Sequence, residues 1–157
     1  MKSLYLWGLL ITILVSGCAT APQSTLTPME IQALQTRSYE FKKDIVFPSV
    51  MSVFQDLGYT VNSANKDTGL ITAESATSSD AASKFWLGIT DVSQTKATAF
   101  IEQIGSNATV RLNFVTTSKK SGIYGQSDRQ DTPILDGNVY QNAFERIENA
   151  IFVRSSQ

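Results

Sequence analysis

Histidine is absent from the 157 residues, and cysteine occurs once, at Cys18. Without histidine there is no Ser-His or Cys-His pair, the commonest machinery of nucleophilic hydrolysis. Zinc and copper lose their preferred ligands for the same reason. A lone cysteine rules out a disulfide within one chain. Glycine-rich phosphate loops and the Gly-x-Ser-x-Gly elbow do not occur. Charge is sparse and balanced, 13 basic against 14 acidic side chains, so nothing attracts nucleic acid. The expectation is a non-enzyme with no catalytic residues, no metal and no cofactor.

What is present starts at the N-terminus. Lys2 precedes LYLWGLLITILV, residues 4–15, an apolar block of signal-peptide length where a membrane-spanning helix needs roughly 20 residues. Ser16, Gly17 and Cys18 follow. An apolar run ending in Val-Ser-Gly-Cys resembles the bacterial lipobox. That resemblance implies cleavage before Cys18, a diacylglycerol on its thiol and palmitate-type acylation of the new amine. Ala19 in place of aspartate implies sorting to the outer membrane. The competing reading, an uncleaved anchor with a buried cysteine, fits poorly with a block so short. Acyl chains contribute about 0.8 kcal/mol per buried CH₂, so two or three make a stable anchor.

Residues 1–17 therefore read as a lipoprotein signal peptide and 18–27 as the lipidated cysteine and a small, polar tether. Residues 28–157 read as one α+β domain. Thr27 and Glu30 have capping-box spacing and Pro28 suits a first helical turn, which predicts a short helix over 28–35. Tyr39 and Phe41 alternate with polar residues in a first strand. Val46, Val50, Val53, Phe54 and Leu57 form one helical stripe, with Asp44 as cap, Pro48 in the first turn and Gly58 after the end. Residues 59–75 read as a hairpin turning at Asn-Lys-Asp-Thr-Gly.

A second hairpin follows, with TKATAFIEQIG, a turn at Ser106-Asn107, and TVRLNFVTT with Val110, Leu112 and Phe114 on its dry face. Tyr140, Ala143, Phe144, Ile147, Ala150 and Ile151 stripe a last helix, capped by Asp136. Residues 75–96 and 118–135 show no periodicity and read as loops. The fold class is an antiparallel sheet of about five strands with two main helices on one face.

The stretches LQTRSYEF, VFQDLGYTV, DTGLITAES and YQNAFERIENAIF resemble a family of small Gram-negative outer-membrane lipoproteins of unassigned function. The resemblance rests on the lipobox, a helix-to-strand junction of LQDLG-[FY] type and an aromatic C-terminal helix. It implies a location and a fold and carries over no activity.

Other chemistry is thin. Ser118, Lys119, Lys120 and Ser121 adjoin and read as a solvated turn. Asp67, Asp128 and Asp131 lack calcium-loop spacing. Glu74 and Glu102 both fall in strands, and facing each other they would give a glycosidase-like pair. The candidate interaction residues are Phe85, Trp86 and Leu87, an apolar island in a polar region, with Tyr124 between two glycines. The function expected is a non-catalytic interaction or scaffold domain, with the membrane through its lipid and an envelope protein as partners. The alternative is a small-ligand or lipid-binding module with a cavity lined by Phe54, Phe100, Phe114 and Phe144.

Overall fold

A computed structural model describes residues 26–79, 90–121 and 127–156. Along the chain run α1 (Pro28–Gln35), β1 (Thr36–Tyr39), α2 (Lys43–Asp56), β2 (Tyr59–Asn65), β3 (Leu70–Ser75) and β4 (Ser78–Ser79). Then come β5 (Thr90–Ile104), β6 (Asn107–Ser121), β7 (Ser127–Pro133) and α3 (Gly137–Ser155). All strand pairs are antiparallel, in the order β1-β6-β5-β3-β2. Beside β6, β7 continues the edge that β1 begins, and β4 continues β3 beside β5. The sheet is thus five strands wide, and α2 and α3 cover one face, the α+β arrangement expected.

The helices form where the 3.6-residue period places apolar side chains on one stripe. Val46, Val50, Val53 and Phe54 of α2 and Tyr140, Ala143, Phe144, Ile147 and Ile151 of α3 are buried. They pack on Ile71, Ala73, Ala97, Ala99, Ile101, Val110, Leu112 and Phe114 of the sheet. Thr27 and Glu30 close the capping box of α1, and Asp136 caps α3 by accepting the Asn138 N–H at 2.8 Å.

Gly58 follows α2 at φ 83°, the left-handed position where glycine costs least. The start of α2 differs from expectation: Lys42 is the N-cap and makes no side-chain cap. Asp44 lies inside the first turn and pairs with Lys66 at 2.8 Å. Pro48 consequently falls in the second turn, where its missing N–H leaves the Asp44 carbonyl without the usual intrahelical donor.

The larger corrections concern the two stretches read as loops. Thr90–Thr95 belongs to β5, Ser118–Ser121 to β6 and Ser127–Pro133 to β7, while Ser78–Ser79 adds β4. The β5–β6 hairpin has 15 residues in each strand and turns at Gly105-Ser106. Its far end is polar on both faces, with Thr95 opposite Thr116 and Gln94 opposite Thr117, so it lacks the alternation that marks a half-buried strand.

Candidate functional site

Cys18, Phe85, Trp86, Leu87 and Tyr124 all lie outside the described residues. The described strand ends beside the two internal segments do meet: Thr90 pairs with Ser121, Ser121 with Ser127 and Ser79 with Val92. The described strand ends that flank both internal segments therefore lie at one end of the sheet.

The weaker catalytic arrangements come apart. Glu74 pairs with Lys96 at 3.4 Å, whereas Glu102 faces Thr109, six residues further along β5 and so about 20 Å away. That separation exceeds glycosidase geometry, which needs about 5–10 Å. Ser118 and Lys119 are successive residues of a strand and point to opposite faces. Among the described residues no cluster of acidic side chains is arranged to hold a metal.

The four-phenylalanine cavity is also corrected. Phe54, Phe114 and Phe144 are buried in the core, but Phe100 is 45% exposed on the opposite face. Strand parity explains this. Ala97, Ala99 and Ile101 point into the core, and Phe100 between them must point out. The alternating small residues around it were the signal available in the sequence.

That outer face carries what the sequence reading missed. Register aligns Asn65, Leu70, Phe100, Arg111 and Thr36 in one row across β2, β3, β5, β6 and β1. Leu70 is 44% exposed, and Ile104, two positions beyond the next same-face residue of β5, is 57% exposed. A shallow concavity of about 360 Å³ is lined by Gln35, Leu70, Thr98, Phe100, Arg111 and Asn113. Gln35 is nearly fully buried, and its Nε2 donates to the Tyr140 hydroxyl at 3.3 Å and to Asn113 Oδ1 at 3.5 Å. The amide rim is therefore fixed by the core beneath it. Arg111 makes none of the ion pairs among the described residues, which join Lys66 to Asp44, Lys96 to Glu74 and Arg129 to Asp131.

On the helical side, a groove of about 390 Å³ opens where the end of α2, the start of β2 and the first turns of α3 diverge. Leu57, Tyr59, Val139 and Ala143 form its walls over Phe114. The Tyr59 ring lies 6.0 Å from Phe54 and 6.2 Å from Phe114, and burial raises its phenol above the ordinary value. Such a site accepts an apolar group and offers it two amides, Asn138 and Asn142, at the rim.

Among the described residues no helix is long and apolar enough to cross a membrane. No protein-family model matches the chain, and no curated protein matches it.

Proposed function

We propose that this chain is a lipid-anchored, non-catalytic interaction or scaffold domain held at the periplasmic side of the outer membrane, in the manner of the small lipoproteins it resembles. The observation that carries the interaction reading is the Leu70–Phe100 cross-strand pair. Both side chains stand half-exposed on a sheet face that no described element covers. Exposed apolar area of this kind, set among polar residues, marks surfaces that meet other proteins. The address rests on Cys18 and its flanking sequence. The tether of residues 19–27 spans about 30 Å at full stretch and keeps the domain near the bilayer.

The test is fractionation and in-membrane cross-linking of the native chain beside Cys18→Ser, Phe100→Ser and Trp86→Ala. Cys18→Ser is expected to leave the membrane fraction, and its retention there would refute lipidation. Phe100→Ser is expected to lose a cross-linked partner while keeping its fold. Unchanged cross-links in both Phe100→Ser and Trp86→Ala would refute the interaction role.

The groove over Phe114 favours a second reading, a small-ligand or lipid-binding envelope module. It predicts that Ala143→Leu, which fills the groove, abolishes binding of a fluorescent fatty acid.

A further inference from the structure

We propose that the outer sheet face binds an extended protein segment in which a large apolar residue and an acidic residue stand two positions apart. The apolar side chain seats between Leu70 and Phe100, and the carboxylate pairs with Arg111. This inference rests on the interaction reading and names the chemistry of the partner.

Three observations converge on it. Leu70, Phe100 and Arg111 occupy successive strands of one row, so their side chains leave the same face side by side. Neighbouring strands lie about 4.8 Å apart, which puts the midpoint of Leu70 and Phe100 about 7 Å from Arg111. Same-face residues of an extended peptide are about 6.7 Å apart, and the two spacings match.

Charge complementarity sets the second residue. Arg111 is exposed and forms no ion pair among the described residues. Of the carboxylates on its face, Glu74 is paired with Lys96. Glu102 sits diagonally across from Arg111 and also forms no ion pair. A guanidinium presents a planar donor fork that suits a carboxylate better than any neutral group. The third observation is rigidity. Asn113 and Gln35 beside Arg111 are tied to the core through Tyr140, so the platform is formed before a partner arrives.

The experiment titrates the full-length chain in detergent solution with blocked hexapeptides containing Leu-x-Glu, Leu-x-Gln or Leu-x-Lys, followed by backbone and arginine side-chain NMR. Expected is a set of shifts at Leu70, Phe100 and Arg111 on adding the Leu-x-Glu peptide. Its affinity should exceed that of the Leu-x-Gln peptide by about 1.4-fold to fivefold, the range for an exposed ion pair. Arg111→Gln should erase that difference, and Phe100→Ala should weaken both peptides. Equal binding of the Glu and Gln peptides, shifts centred elsewhere, or no shifts at millimolar peptide would overturn the proposal. If the peptides fail while Phe100→Ser still loses its cross-linked partner, the acidic chemistry is wrong and the interaction surface stands. If both fail, both readings fall.

Discussion

The Tyr140 hydroxyl accepts the Phe114 N–H at 3.4 Å, and the two rings meet edge to face with centroids 5.3 Å apart. The contact sits at a break in the sheet edge. Along β6, pairing with β1 ends at Arg111 and pairing with β7 begins at Val115. Phe114, in the gap, gives its carbonyl to the Ile134 N–H at 2.9 Å and its own N–H to Tyr140. A buried strand amide without an acceptor is costly, so one side chain of α3 completes the ladder.

Tyr140→Phe keeps the ring and removes the acceptor from both Phe114 N–H and Gln35 Nε2. The expected loss is about 1–3 kcal/mol, the cost of leaving a buried donor unsatisfied. Chemical denaturation measures it, and hydrogen exchange at Phe114 should quicken more than at Leu112. An unchanged midpoint would show that the hydroxyl does not serve the sheet edge.

Small side chains under α2 give a second expectation. Ala73, Ala97 and Ala99 are fully buried on the helix-facing side of the sheet, and α2 lies against β5. Ala99→Leu adds apolar volume where close packing leaves no room, and the expected result is destabilisation by about 1–3 kcal/mol. A gain in stability, read from the same denaturation curves, would mean a void beneath the helix.

The helices were legible in the sequence because every position of their stripes had to be apolar. Val46 to Phe54 and Tyr140 to Ile151 announce the face they bury, and the caps Thr27 and Asp136 mark where two of them begin. The ends of β5, β6 and β7 were not legible for the opposite reason. Thr95, Thr116, Gln94 and Thr117 keep the strand conformation through the main-chain ladder and polar cross-strand contacts. One such contact is the Thr117 hydroxyl donating to Asp131 at 2.7 Å. Hydrophobic periodicity reports apolar burial, and these side chains are polar on both faces even where one of them, Thr117, is buried. The outer-face patch was harder to read, because parity with Ala97 and Ala99 puts Phe100 on the other face but does not say what lies beside it. Only the register puts Leu70 and Arg111 beside it.

Acid should loosen the start of α1 before it unfolds the domain. The Glu30 carboxylate accepts the Thr27 N–H at 2.7 Å and the Thr27 hydroxyl at 2.8 Å, and the backbone bond first, then the hydroxyl, holds its pKa below the ordinary value. A carboxylate with a lowered folded pKa gives its stabilisation in full above the unfolded pKa, about 4.3 for glutamate. That contribution is lost as pH falls through the lower folded value. Asp131, held down by the Thr117 hydroxyl and then by Arg129, behaves in the same sense. An NMR titration should move the Thr27 amide with a midpoint below the ordinary glutamate value, and Glu30→Gln should abolish the transition.

Gly69 is the position where one added carbon does most harm. It closes the β2–β3 turn at φ 79°, with its N–H on the Asn65 carbonyl at 2.9 Å. Its own carbonyl accepts the Ile101 N–H at 2.8 Å, so the turn is laced to β5. A Cβ there would overlap the Ile101 carbonyl oxygen, a backbone atom that cannot swing aside as a side chain can. The left-handed conformation alone costs an L-residue about 1–2 kcal/mol. Gly105 measures that cost by itself, because its φ is 61° and a Cβ would meet nothing within 4 Å. Gly105→Ala is therefore expected to lose about 1–2 kcal/mol, and Gly69→Ala clearly more, with exchange quickening at the Ile101 amide. Equal losses at the two glycines would mean that the turn can lift away from β5, and that Leu70, the next residue, is not held in register with Phe100.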